Sequence, residues 1–245
     1  MPGSASSRDS SATPTFPVAP VTATRRGRLD EVVRLVVGSA SMRRGLPAAR
    51  GGERANLGRG GPMTGGQPHT ADQLPTIVLV GLMGTGKSTI GRALADRLGR
   101  DFLDSDRMIE ARTGQTVREL WEAGGEAAYR PLERAVVVAA LGAEDPVVLA
   151  APGGVVEDGE AVRALQRGAA VVYLRTQPET IAARLGGEVT HRPLLDGEPE
   201  ELLSTLFARR DAMYRDIAGV VVEADGLPPD AVVEAVLDAL ATGGS

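Results

Sequence analysis

From Thr76 onward, short uninterrupted apolar runs alternate with stretches in which apolar residues recur every three or four positions. TIVLVG (76–81), PVVLAA (146–151) and VVYLRT (171–176) are apolar at successive positions, the pattern of strands covered on both faces. DFLDSD (101–106) and GVVVEAD (219–225) are more mixed runs of the same kind. Between them, KSTIGRALADRLG (87–99), TVRELWEAGGEAAYRPLERAVVVAALG (116–142), DGEAVRALQRG (158–168), QPETIAARLGG (177–187) and EPEELLSTLFARRDAMYRDIA (198–218) have helical spacing, and most end at glycine. A last helix is expected at 229–241, behind Pro228, Pro229 and Asp230. Strands that alternate with helices predict an α/β fold: a doubly wound, five-stranded parallel sheet with right-handed crossovers and helices on both faces. Ligands of such sheets bind at the carboxyl ends of the strands.

The pattern stops upstream of residue 75, where LDEVVRLVV (29–37) is the sole short apolar stretch. Residues 1–62 hold ten arginines against four acids, a balance of +6, which leaves −11 for the rest of a chain whose net charge is −5. A segment rich in Gly, Ser, Pro, Ala and Arg cannot bury enough apolar surface to offset its ordering entropy. The expected organisation is a disordered leader over 1–74 and one domain over 75–245. The leader is compatible with a transit peptide or with a misassigned start, Met63 being a candidate start. The absence of cysteine excludes disulfides and thiolate chemistry, and no apolar run approaches the length of a membrane span. The acidic domain opposes nonspecific nucleic-acid binding. A cytoplasmic monomer is expected.

GLMGTGKST (81–89) fits G-x-x-x-x-G-K-[ST], directly after an apolar strand and before an amphipathic helix. Gly81, Gly84 and Gly86 let successive N–H groups face a polyphosphate, and the helix N-terminus adds partial positive charge. The run Gly84, Thr85, Gly86, Lys87, Ser88 and Thr89 is the expected ATP cradle, with Lys87 on the β- and γ-phosphates and Ser88 on Mg²⁺. A plain glycine-rich turn is the alternative. Of the 27 Lys plus Arg residues, Lys87 is the single lysine. A compact ammonium fits inside a backbone ring where a planar guanidinium does not. Asp104 and Asp106, two apart at the expected end of the second strand, are candidates to hold hydrated Mg²⁺ and to accept a hydroxyl proton. The alternative for them is a cap on DRMIEARTG.

With DSD (104–106), YRPLE (129–133), PGG (152–154), HRPLL (191–195) and RDAMY (210–214) in this order behind the phosphate loop, the chain from about Thr76 to the last helix resembles the shikimate kinase family. The resemblance implies a P-loop, nucleoside-monophosphate-kinase-like fold with a mobile lid, and transfer of the ATP γ-phosphate to the 3-hydroxyl of shikimate. It implies that Asp106 binds substrate hydroxyls and serves as base, with Asp104 near Mg²⁺. It places Arg130 and Arg210 on the shikimate carboxylate, Gly153 and Gly154 against the ring, Arg192 of the lid over the transferring group, and Arg184 near adenine. Glu133, one turn after Arg130, is placed to orient it. Trp121 and Tyr129 fall where the family has aromatics beside the substrate, or are core. Three residues depart from the family pattern: Pro152 replaces a glycine and deletes an N–H expected at the acceptor pocket, Tyr129 replaces Phe, and Pro131 follows Arg130. Pro131 is tolerated if YRPLE begins a new helical segment. Alternatives kept open are a related kinase for another hydroxy acid or cyclitol, and a silent nucleotide-binding module.

Overall fold

Each apolar run becomes a parallel strand. The computed structural model describes residues 74–185 and 199–242. The expected leader up to residue 73, with Met63, lies outside the described residues, as does the HRPLL segment with His191 and Arg192. The strands are β1 (Thr76–Val80), β2 (Phe102–Asp104), β3 (Val148–Ala150), β4 (Ala169–Arg175) and β5 (Val220–Glu223). The helices are α1 (Lys87–Leu98), α2 (Ser105–Thr113), α3 (Val117–Leu141), α4 (Gly159–Gly168), α5 (Pro178–Leu185), α6 (Pro199–Ile217) and α7 (Pro229–Thr242), with a 3₁₀ turn at Val155–Glu157. Strand order is β2-β3-β1-β4-β5. Register is set by pairs such as Val78 with Leu149 on one side and Val78 with Val171 on the other.

Successive side chains of a strand point to opposite faces, which explains why the runs are apolar throughout. Val78, Val80, Leu149, Val171 and Tyr173 pack into one layer with Ile109 of α2, Val136 of α3, Leu165 of α4, Ile181 of α5 and Leu203 of α6. Ile77, Leu79, Val148, Val172 and Leu174 pack into the other with Leu94 of α1 and Val236 of α7. The sheet is thus covered on both faces, and β1 at its centre delivers the phosphate loop to the carboxyl edge.

Two local expectations change. β2 ends at Asp104, whose side chain caps α2 by accepting from the amides of Asp106 (3.1 Å) and Arg107 (3.5 Å). The cap is therefore Asp104, and Asp106 lies in the first turn of α2 rather than on a strand, so the period-two face is not what groups the two acids. α3 opens with a capping box of Thr116 and Glu119 and breaks at Gly125 (φ 60°, ψ −162°). Its second segment thus starts well before YRPLE and Pro131 lies inside it. Pro131 is exposed, as is Ala127 four residues earlier, so water can meet the carbonyl that proline leaves without a donor.

Candidate active site

The loop after β1 turns on glycine. Gly84 has φ 79°, and a Cβ there would lie 2.8 Å from Cγ2 of Ile181, so both backbone and neighbour require glycine. Gly86, at φ 94°, is the N-cap of α1, and no side chain caps the helix. Its first amides therefore remain directed at a ligand position, the arrangement that binds phosphate. Lys87 Nζ donates to the carbonyls of Gly81 and Leu82, 2.8 Å each, folding the ammonium over the loop. Thr85 is 3% exposed and its hydroxyl donates to the Leu82 carbonyl (3.0 Å), bracing the loop from within.

A cavity of about 540 Å³ opens above this loop. Gly84 to Thr89, Asp104, Asp106, Arg184, Leu185, Leu227 and Pro229 are among the residues that line it. Arg184 Nη2 donates to the Ala224 carbonyl (3.2 Å), tying α5 to the turn after β5. Ser88 Oγ donates to Asp104 Oδ2 at 2.6 Å while Oδ1 caps α2. A hydroxyl beside a carboxylate under a phosphate cradle suits Mg²⁺, which takes few protein ligands and keeps waters and phosphates as the rest. Among the described residues no group of three or more His, Cys, Asp or Glu side chains gathers.

A second cavity of about 500 Å³ lies beside the first. Met83, Trp121, Tyr129, Arg130, Glu133 and Arg210 wall it, and Asp106 and Gly153 line both cavities. The Trp121 and Tyr129 rings stand edge to face, 5.8 Å apart. The Tyr129 hydroxyl donates to Asp106 Oδ1 (3.2 Å). Arg130 is held by Glu133 (Nη1 to Oε2, 2.6 Å), as expected, and also by Glu126 (Nε, 3.0 Å) and Glu157 (Nη2, 3.1 Å). Its guanidinium lies across Gly154, where a Cβ would sit 1.7 Å from Nη1. Arg210, 5% exposed, bonds Glu157 (2.7 Å) and leans on the Gly153 carbonyl (3.4 Å). The hydroxyl of Tyr214 also donates to that carbonyl.

These contacts set the charge states. Burial pushes the Glu133 carboxyl above its usual range, opposed by Arg130 and reinforced by the charge of Asp106. Burial works against the Arg130 cation, but Glu133 and Glu126 outweigh it and hold its pKa above the ordinary arginine value. The Arg130 bond in turn draws the Glu126 carboxyl below its usual range.

Of the expected site residues, the structure brings Gly84 to Thr89, Asp104, Asp106 and Arg184 to the donor cavity, and Asp106, Arg130, Gly153, Gly154 and Arg210 to the acceptor cavity. Pro152 departs from expectation. It lines the first cavity beside Ala151, while Gly153 next to it lines both cavities. Arg192 lies outside the described residues. Glu157 and Glu126 were not foreseen, and Tyr214 was reached only as the last residue of RDAMY, without a role. Nothing in PGGVVE marks its last residue as the partner of arginines on two distant helices.

A strand, glycine loop and helix that cradle a polyphosphate, opening through a shared carboxylate onto a cavity walled by arginines, define a P-loop phosphotransferase for small acceptors. A family model for shikimate kinase matches residues 83–241. A shikimate kinase from Chromohalobacter salexigens is 46% identical over 165 residues, covering 67% of this chain and 91% of the relative. One from Pseudomonas savastanoi pv. phaseolicola is 45% identical over 166 residues, covering 67% and 95%. The solved structure of shikimate kinase from Acinetobacter baumannii in complex with shikimate matches with a TM-score of 0.65 and 38% identity, covering 68% of this chain and 93% of that one. The chain belongs to the shikimate kinase family.

Proposed function

We propose that this protein transfers the γ-phosphate of ATP to the 3-hydroxyl of shikimate, giving shikimate 3-phosphate and ADP, a step of aromatic amino acid biosynthesis. One observation carries the reading: the donor and acceptor cavities meet at Asp106 and Gly153. A hydroxyl bound in one thus faces a phosphate bound in the other, and phosphoryl transfer is governed by such positioning together with charge stabilisation.

In this reading the bond that forms joins the acceptor oxygen to the γ-phosphorus, and the bond that breaks leaves its oxygen on ADP. Asp106 accepts the hydroxyl proton, oriented by Tyr129. Lys87 exchanges the Gly81 and Leu82 carbonyls for phosphate oxygens, and the amides of the loop hold the remaining charge. Arg130 and Arg210 take the acceptor carboxylate, since a planar fork donates two parallel bonds to it. Gly153 and Gly154 let the ring approach. Arg184 holds the base end of the nucleotide, and Arg192 of the lid covers the transferring group. Ser88 and Asp104 would hold Mg²⁺, which when bound neutralises charge on the phosphates. The protein works in the cytoplasm as a monomer without nucleic acid or membrane, and its kinase domain runs over 75–245, with Leu74 already packed against the core and its carbonyl accepting from Arg100 Nη2 at 2.6 Å. Among the described residues no helix is long and apolar enough to cross a membrane.

Coupled ADP release with ATP, Mg²⁺ and a panel of hydroxy acids and cyclitols tests the reading. Shikimate is expected to give the highest kcat/KM; stronger turnover of an acceptor without a carboxylate would overturn it.

A further inference from the structure

Glu157 stands at the end of the 3₁₀ turn that follows Gly154. That turn is closed by Val155 N–H to the Pro152 carbonyl (3.1 Å) and Glu157 N–H to the Gly154 carbonyl (3.0 Å). The Glu157 side chain is 12% exposed, and one oxygen, Oε2, accepts from Arg210 Nη2 at 2.7 Å and from Arg130 Nη2 at 3.1 Å. The other oxygen pairs with Arg209 Nη2 at 2.6 Å. Arg130 has two further carboxylates in Glu126 and Glu133. For Arg210, Glu157 is the sole ion-pair partner among the described residues.

We infer that Glu157 is a positioning residue of the acceptor site: its buried carboxylate joins Arg130 and Arg210 into one carboxylate-binding unit. This rests on the proposed role of those arginines. Two guanidiniums brought this close repel each other, and a shared anionic oxygen between them cancels that repulsion where water screens poorly. Arg130 and Arg210 line the acceptor cavity, whereas Glu157 does not. It reaches the two guanidiniums through one terminal nitrogen of each, Nη2. A clamp held in this way has less ordering to do when the acceptor arrives. The same turn supplies both halves of the device. Gly154 makes room for the Arg130 guanidinium, and Glu157 three residues later holds it.

The test is steady-state kinetics of the full chain with Glu157→Gln, which keeps size and removes charge, alone and combined with Arg210→Ala. The expected result for Glu157→Gln is an acceptor KM raised about tenfold, the scale of one charge-assisted hydrogen bond, with kcat and the KM for ATP unchanged, and a double variant whose acceptor KM is no higher than that of Arg210→Ala alone. An acceptor KM that is unchanged or lower, or a KM for ATP that rises in parallel, overturns the inference. Glu157→Asp, with the charge kept and the reach shortened, carries the test if the Gln variant does not fold. A raised acceptor KM alone supports the inference, and no change overturns it. If instead Arg210→Ala leaves the acceptor KM unchanged, the acceptor reading itself has failed, and that result is distinct.

Discussion

The two cavities are built by opposite means. The donor side is made mostly of backbone: a nine-residue run at the end of β1, glycines at φ 79° and 94°, helix amides without a side-chain cap, and one lysine. The acceptor side is made mostly of side chains, brought together from five separate segments. In it, Arg130 of α3 and Arg210 of α6 are coupled through Glu157 of the turn after β3. A backbone site is local in the chain and tolerates variation in most side chains. A side-chain network depends on how far-apart segments pack, and every charge in it needs a counter-charge.

The contrast is sharpest at Lys87, the one side chain that the backbone cradle depends on. Lys87→Ala is expected to lower kcat by roughly three orders of magnitude, the scale of removing a positioned charge at the transferring group, with far-UV circular dichroism unchanged. A loss below tenfold would show that the loop amides suffice. On the acceptor side, Arg210→Ala is expected to raise the acceptor KM about a hundredfold, from loss of a buried charge-assisted contact, while the KM for ATP stays put. Equal rises in both constants would mean that the two regions are not separable.

Smaller effects probe the edges of each region. Ser88→Ala should raise the Mg²⁺ concentration for half-maximal activity about tenfold without moving the acceptor KM, because Asp104 keeps its cap on α2. An unchanged Mg²⁺ requirement would remove Ser88 from the metal site. Asp211, next to Arg210 on α6, accepts from Tyr173 (2.9 Å) and Arg175 (2.8 Å) of β4, anchoring α6 to the sheet. Burial works to raise its carboxyl, but Arg175, Arg215 and Tyr173 outweigh burial and hold it below the usual range. A depressed folded pKa stabilises above the unfolded value, near 4, and that contribution is lost as pH falls through the folded value. Asp211→Asn should therefore lower Tm by a few degrees at pH 7, about 1 kcal/mol. The difference should shrink below about pH 4. A difference that persists at pH 2 would assign the effect to packing.

The same contrast explains what could be read from the residues alone. All five strands and six of the seven described helices follow from the pattern of apolar residues, most plainly at β1, β3 and β4, where burial on both faces leaves an unbroken signature, whereas α2 entered only as the helix that an Asp cap on DRMIEARTG would start. GLMGTGKST was legible because every group it uses is contiguous. Arg130 and Arg210 were reached through family motifs, and YRPLE also marked Glu133 as a partner of Arg130, but no motif marked the partner of Arg210. Glu157 and Arg210 are 53 residues apart and meet only once α6 packs against the turn after β3. Asp104 and Asp106 look equivalent two residues apart, yet the helix begins between them and gives one the cap and the other both cavities. Pro152 was assigned to the acceptor pocket because it stands where the family pattern has the first glycine of its turn. In the fold, Pro152 lines the first cavity and Gly153 lines both.

The central claim is that one chain aligns ATP with a carboxylate-bearing hydroxyl acceptor across Asp106. Initial-rate measurement of ADP release by the full chain, with ATP and Mg²⁺ fixed and shikimate varied, tests it most directly. Saturable, shikimate-dependent release that yields shikimate 3-phosphate in equal amount is predicted. ADP release that does not depend on shikimate, or no release at saturating shikimate from protein that binds ATP, would contradict it.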